Sequence, residues 1–440
     1  SKIRFTVYNI PYLSSPSASQ ANIHFHLQER NTKMSSLTLT RFILFFSIFA
    51  TITLKSNSQY LLPITKHEPT NQFYTTLNLG SGGTSSSNLL LDFETNLTLV
   101  NWNIFNPPHF VNNLVICKSS TCNSIPGNDC DANGLFCVYR QSSLLGQNVG
   151  VIGAVVQATV NISTTDGGNL LSPFTVHPFT LSCVGGEPLQ SLPPLVSGVL
   201  SLSPVTSSFT KQVTSLFGVI PTFSLCLPSS GTGHFYMAAV NYLIPPFNSD
   251  DPIPMTLTPL KNIDTGNYLI DVKSIYVDGT PLSFNPNLLA GGAKLSTVVP
   301  YTVLLTDIYN ALAQSFTLKA KSMGISKVQA IAPFKDCFDA RAAGKNMTGP
   351  NVPVIDIGVP GWGGEVKWSF HGANTVVNVT ETVMCLAFLD GGQNPKDLMV
   401  IGTHQLQDHM LEIDFSTSLM GLSDSLLLHN TSCSTWPSEN

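Results

Sequence analysis

The sequence predicts a mostly β protein of two lobes with a few short helices. Alternating and β-branched runs recur between Gly and Pro turns spaced roughly ten residues apart. Helical periodicity is confined to two segments. At 440 residues the chain is too long for one β-sandwich, and it carries a proline-crowded polar stretch near its middle.

The N-terminal part reads first as targeting. Residue 1 is Ser, and residues 1–33 show no clear period. Met34 opens MSSLTLTRFILFFSIFATITLKSNSQ. Arg41 ends a short basic region, Phe42 to Leu54 form an apolar run, and Ser56 and Ser58 place small residues before a cut ahead of Gln59. This is the pattern of a secretory signal over residues 34–58. The apolar run falls short of the ~20 residues a membrane-spanning helix needs, so no membrane association is expected after signal removal. Residues 1–33 read as an upstream segment outside the mature protein. A secreted product of the extracellular space or cell wall is expected.

From Gln59 on, strand signals dominate. FYTTLNLG (73–80) alternates before a Gly/Ser turn, LGSGGTSSS (79–87), which opens no helix, lacks a phosphate-loop Lys and reads as a hairpin loop. VGVIGAVVQATVNIS (149–163) is a long β-rich run. YLIDVKSIYVDG (268–279) puts Ile270 and Val272 on one face, shifts register at Ile275 and Val277 as a bulge would, and offers Asp278–Gly279 as a hairpin turn. Helical spacing appears over 302–324, with Leu305, Ile308, Leu312 and Phe316 on one side, and more briefly over 205–218. Pro245, Pro246, Pro252 and Pro254 mark the lobe boundary, giving lobes 59–245 and 246–440.

Only 11% of the residues are charged, against about 25% in ordinary soluble proteins. The surface must be built from Ser, Thr, Asn and Gly. Five N-glycosylation sequons begin at Asn96, Asn161, Asn346, Asn378 and Asn430, and glycans there would supply solubility. A net charge of −5 without a basic run gives no nucleic-acid footprint. All nine cysteines follow the expected cut, so secretion makes them readable as disulfides. Their odd number leaves at least one unpaired within the chain. No CxxC or HExxH spacing suggests zinc, and no metal or other cofactor is expected. His404 and His409 read as solvent-facing.

One stretch carries a recognisable chemical outline. In LLLDFETNLTLVNWN (89–103) an apolar run enters Asp92, polar residues follow, and Leu97, Leu99 and Val100 resume the apolar run. That is how the first catalytic turn of an aspartic protease reads, but the Thr/Ser–Gly that should follow is Phe93–Glu94. Such an enzyme needs two carboxylates about 3 Å apart sharing a proton. The second copy maps to GGAKLSTVVPYTVLLTDIYNAL (291–312), with Ser296 at the aspartate position and Val298 at the glycine. Ser296 cannot share a proton as a carboxylic acid does, and a lone Asp92 has no partner to poise its pKa. Asp92 reads as a hydrogen-bonded turn residue, and no catalytic residue is assigned.

These residues, with KLSTVVPYTVL (294–304), APFKDCF (332–338), NVPVIDI (351–357), VMCLAFLDGG (383–392) and IGTHQLQDHMLEIDFSTSLMGLS (401–423), carry a resemblance. The chain resembles the plant aspartic-protease-like inhibitor family: wheat-type xylanase inhibitors, xyloglucan endoglucanase inhibitors, extracellular dermal glycoprotein and basic 7S globulin. The resemblance implies a two-lobed pepsin-like fold without proteolysis, and makes Ser296 a family trait. Family members usually carry twelve cysteines in six bridges. One missing here follows the first motif, where Leu99-Val100-Asn101-Trp102 stands. The resemblance therefore implies Cys183 as the free thiol, bridges Cys337–Cys385 and Cys226–Cys433, and pairing of Cys117, Cys122, Cys130 and Cys137 among themselves in one of three ways.

It also implies a partner. In the xylanase-inhibiting relatives, loops of the C-terminal lobe enter the cleft of a microbial glycoside hydrolase. The corresponding residues here are Met347 in GKNMTGPNVP (344–353) and His429 in HNTSC (429–433). Glycosidases carry paired carboxylates, and an imidazolium can make a charge-assisted hydrogen bond to one. The xyloglucanase-type relatives use arginines on these loops, and none stands at Met347, His429 or Asn430. The Asn346 and Asn430 sequons adjoin both contacts. The expectation is a monomeric, catalytically inert inhibitor of a GH11 or GH12 type hydrolase. A carbohydrate- or peptide-binding storage protein of the 7S globulin type and a divergent aspartic endopeptidase are the rivals.

Overall fold

The computed structural model describes residues 59–80, 85–102, 113–239, 241–261, 263 and 266–437. The upstream segment 1–33, with His24 and His26, and the signal 34–58 lie outside the described residues. So do residues 81–84 between the paired strands Gln72–Gly80 and Ser85–Asp92.

An antiparallel sheet runs through both halves of the sequence. Strand Gln59–His67 pairs with Thr232–Met237, which pairs with Thr222–Cys226. Thr222–Cys226 then pairs with Met410–Asp414 from the far end of the chain, which pairs with Leu419–Ser423, which pairs with Met255–Lys261. The Cys226–Cys433 bridge closes 207 residues beside this junction.

Continuous with those strands, one topology occurs twice. In the N-terminal half, Ser85–Asp92 runs parallel to Gly198–Ser201, and Leu99–Asn101 lies antiparallel to the same strand. In the C-terminal half, Ala293–Leu295 runs parallel to Met399–Ile401, and Thr302–Leu304 lies antiparallel to it. Each half thus holds a central strand flanked by two strands that enter and leave one turn. Asp92 ends the first entering strand, and Ser296 follows the second, its N–H donating to the Ile401 carbonyl at 3.0 Å. Their equivalence rests on strand pairing as well as on sequence alignment.

The long run expected at 149–163 is strand Val151–Thr165, and its alternating burial puts one face in the core. Helix Phe209–Phe217 begins at Ser208, whose hydroxyl accepts from Lys211 N–H, and ends at Gly218 at φ 59°. The 302–324 segment divides. Thr302–Leu304 is strand, and the helix is Thr306–Ser322, burying Ile308, Leu312 and Phe316. Burial of three rows one helical turn apart holds this helix against the sheet; truncating Phe316 would cost about 3–5 kcal/mol.

The 268–279 segment corrects the expected bulge. Leu269–Ile270 pairs within one sheet, whereas Ser274–Val277 pairs with Ile355–Gly361 in another. The shift of hydrophobic register is a change of sheet. Ile270, Val272, Ile275 and Val277 are all buried, on whichever face meets the core. Asp278 and Gly279 at φ 52° and 73° make the expected tight turn.

Candidate functional site

The two equivalent turns meet. Phe93 N–H donates to Thr297 Oγ1 at 3.2 Å, from the residue after Asp92 to the residue after Ser296. The reverse bond cannot form because Phe93 has no hydroxyl. Its ring instead packs edge-on to Tyr268 at 4.9 Å and is buried. Val298, at the glycine position, buries its side chain among Leu90, Leu97, Tyr139 and Val199 of the N-terminal half.

Asp92 and Ser296 are each 1% exposed. One Asp92 oxygen accepts Glu94 N–H at 2.9 Å, and the other accepts the Thr95 hydroxyl. Ser296 Oγ accepts the N–H groups of Val298 and Val299, both at 3.2 Å. Each side chain therefore caps its own turn. Burial, and then the Glu94 carboxylate, raise the Asp92 pKa from 3.8 to about 6, against the hydrogen bonds that hold it down. This corrects the expectation that a lone Asp92 has nothing to poise it: desolvation needs no partner.

Glu94 occupies the position where a glycine would let backbones approach. Its Oε2 lies 2.7 Å from Lys294 Nζ, which also stands 3.5 Å from Asp397. Lys294 is 7% exposed. Sequence reasoning missed this pair, although a signal existed. Glu94 is two residues after Asp92, Lys294 is two before Ser296, and the opposite charges flank the paired turns.

The two expected contact residues occupy separate elements. Met347 caps the hairpin between Lys345–Asn346 and Gly349–Pro350 and is 55% exposed. Gly349 at φ 98° is required at its base, since a Cβ there would lie 2.7 Å from Ala373 N. A cavity of about 650 Å³ adjoins this hairpin, lined by Arg341, Lys345, Asn378 and Glu381 among others. Arg341 grips Asp339 through two N–H donors, at 2.9 and 2.7 Å. His429 ends the 3-10 turn Leu426–His429, exposed, with its ring 5.0 Å from Phe247.

Asn346, Asn378 and Asn430 are exposed, while Asn96 and Asn161 are half-buried. Asn346 Oδ1 accepts from Thr348 N–H and Oγ1, both at 3.0 Å, and Asn161 Oδ1 accepts the Thr175 hydroxyl at 3.0 Å. The cysteine cluster pairs as Cys117–Cys130 and Cys122–Cys137. Cys226–Cys433 and Cys337–Cys385 are bonded, and Cys183 is a buried thiol whose pKa burial pushes up.

His404 and His409 correct the expectation of solvent-facing side chains. Both are buried and donate to backbone carbonyls, His404 Nε2 to Val376 at 3.0 Å and His409 Nδ1 to Ser423 at 3.1 Å. Burial lowers each pKa from 6.5 to about 4. Among the described residues no helix is long and apolar enough to cross a membrane.

Comparison with known proteins now decides the family. The xylanase inhibitor N-terminal family matches residues 60–237, and the xylanase inhibitor C-terminal family matches residues 267–424. The chain belongs to the xylanase-inhibitor family of aspartic-protease-like proteins. It is 36% identical over 285 residues to "Gamma conglutin 1" of Prunus dulcis, covering 64% of this chain and 65% of that one. It is 30% identical over 337 residues to "Probable aspartic proteinase GIP2" of Nicotiana benthamiana, covering 72% of each. Among solved structures, "Crystal structure of edgp" aligns with a TM-score of 0.78 at 29% identity, over 87% of this chain and 98% of that one. Conglutin gamma from lupine seeds aligns with a TM-score of 0.73 at 24% identity, over 87% and 99%, and shows the fold alone. The xylanase-inhibitor family thus shares the two-lobed pepsin-like architecture built above.

Proposed function

We propose that this family member is a secreted, proteolytically inert protein that inhibits a microbial cell-wall-degrading glycoside hydrolase, of GH11 or GH12 type, as a monomer in plant defence. One observation carries the inert half of this reading. Asp92 has both oxygens committed within its own turn, and the equivalent position is a serine capping its own turn. No hydrogen bond joins Asp92 to another carboxyl among the described residues. Peptide hydrolysis by this fold needs two carboxyl groups sharing one proton across an open water site. The lobes are taken as 59–245 and 246–440.

The inhibitory half rests on the family and on two exposed elements. Met347 projects from a hairpin held at its base by Gly349, and His429 projects from the last 3-10 turn. Lys345, beside Met347, adds an ammonium with no ion-pair partner among the described residues, which suits an acidic sugar-cleaving cleft. Glycans on Asn346 and Asn430 would stand beside these contacts and obstruct them. The test is titration of purified protein into GH11 and GH12 hydrolases, alongside pepstatin-sensitive cleavage of denatured globin at pH 3–5. Loss of hydrolase activity without globin cleavage supports the reading. Globin cleavage would return the chain to the endopeptidases. The gamma conglutin and basic 7S globulin relatives favour a second reading, a storage or ligand-binding protein. No effect on any hydrolase in the panel would support it.

A further inference from the structure

A cavity beside the first turn is used neither by the turn caps nor by the exposed loops. It has a volume of about 210 Å³. At roughly 30 Å³ per water it equals about seven waters, the scale of one six-membered sugar ring. Its walls come from three places in the chain: Glu94 and Asn96 from the first turn, Gln141 and Ser143 from the end of strand Cys137–Gln141 and its loop, and Gly266 and Asn267 from the C-terminal half.

The chemistry of those walls selects the ligand. Three carboxamides and a hydroxyl offer donors and acceptors in mixed order, as a polyhydroxyl ligand requires. The only charged group in the walls is Glu94, and the ammonium of Lys294 is shared by Glu94 and Asp397, so among the described residues no unpaired cation faces the cavity to hold a free anion. Gln141 is pre-oriented: its Oε1 accepts the Tyr139 hydroxyl at 2.5 Å, and its Nε2 donates to the Ser143 carbonyl at 2.6 Å. One N–H and one lone pair of that carboxamide stay unspent. Among the described residues, the Asn96 and Asn267 carboxamides and the Ser143 hydroxyl have no hydrogen-bond partner. Half-buried polar groups without partners are satisfied by water or by a ligand.

We propose that this cavity is a subsite for one neutral pyranose ring, independent of the loops assigned to hydrolase inhibition. Two sources share that chemistry. Asn96 lines the cavity and heads the sequon Asn96–Leu97–Thr98, so a glycan attached there before folding would place its first sugar at the cavity. Leu97 and Thr98 are fully buried in the folded chain, which requires attachment to precede folding. A free saccharide is the other source.

The experiment has two arms, chosen by glycopeptide mass spectrometry of Asn96 in protein secreted from plant cells. If Asn96 is occupied, native deglycosylation is timed for the wild type, Ser143→Ala and Asn267→Ala. Release from the wild type should be slower than from either variant by about tenfold, the effect of one lost hydrogen bond to the sugar. Equal rates would overturn the proposal. If Asn96 is bare, saturation-transfer NMR is run with xylose, glucose, mannose and N-acetylglucosamine. At least one should bind, and the Ser143→Ala/Asn267→Ala pair should abolish its signal. Silence from all four, or a signal unaffected by the pair, would also overturn it. Asn267→Gln, which overfills the space with a longer amide, serves as a second variant should the alanine pair lower the melting temperature. Hydrolase inhibition is measured on the same samples. It should be unchanged by these variants, so loss of sugar binding and loss of inhibition are separable.

Discussion

Lys294 Nζ lies 2.7 Å from Glu94 Oε2, joining the two turns that an aspartic protease would use for catalysis. Lys294 is 7% exposed, while the Glu94 and Asp397 side chains are about one-third exposed, at 31% and 33%. Breaking such a pair by removing its buried ammonium leaves two neighbouring, partly desolvated carboxylates uncompensated, whereas replacing both partners removes the desolvation cost as well. Lys294→Met should therefore destabilise by about 1–3 kcal/mol after allowance for solvent screening of its partners. Adding Glu94→Gln should restore part of that loss. A double-mutant cycle by urea denaturation gives the coupling, and a value near zero would remove the pair from the account of how the halves join.

Ser296→Asp should not create a protease. Val298 fills the space a glycine would leave, Phe93 cannot return the Thr297 hydrogen bond, and Asp92 is spent on Glu94 N–H and the Thr95 hydroxyl. Globin digestion by the variant is expected to stay at background at pH 3–5. Pepstatin-sensitive turnover from this one change would mean that the turns are more open than their packing shows.

Stability should depend on acid in two opposed ways. Asp92 titrates near 6 in the folded chain against 3.8 ordinarily. Its contribution is full below 3.8 and lost as pH rises through about 6, roughly 3 kcal/mol in all. His234, His404 and His409 are each lowered from 6.5 to about 4 by burial. Their contribution is full above 6.5 and lost as pH falls towards 4. Burial also raises the Asp408 and Glu412 carboxyls, which act with Asp92, and lowers His371, which acts with the other imidazoles. The three buried imidazoles carry the larger combined shift, so stability should fall between pH 6.5 and 4. Asp92→Asn deletes one opposing contribution, and its denaturation midpoint should drop further over that interval than the wild type's. Equal drops would show that Asp92 does not titrate there.

The Cys226–Cys433 bridge spans 207 residues and lies at the junction of the sheet shared by both halves. In the chain-entropy model, replacing both cysteines by alanine should cost about 5 kcal/mol. Equilibrium unfolding of the variant measures it. A loss under about 1 kcal/mol would indicate that the strand pairing of Thr222–Cys226 with Met410–Asp414 alone fixes the junction.

Met347→Ala and His429→Ala should each weaken hydrolase inhibition by about tenfold or more, as truncated interface anchors do. Enzymatic removal of glycans at Asn346 and Asn430 should strengthen it. Inhibition constants measured for each form decide this, and unchanged constants would relocate the inhibitory surface.

Much of the architecture is legible along the chain because local patterns carry it. Alternation marks Gln72–Gly80 and Val151–Thr165, a three-four apolar spacing marks Thr306–Ser322, and the serine at 296, where a second aspartate would be sought, is a matter of residue identity alone. The sequence by itself determined the fold class and the presence of a disulfide framework, and it placed a serine at position 296. Tertiary structure decided what depends on distance. It buried His404 and His409 within a stretch without clear period, because burial is set by what packs above an element. It turned the apparent bulge at 268–279 into a passage between sheets. It brought Glu94 to Lys294 and Asn96 to Asn267 across about 170–200 residues of chain, and only a folded backbone can supply such proximity.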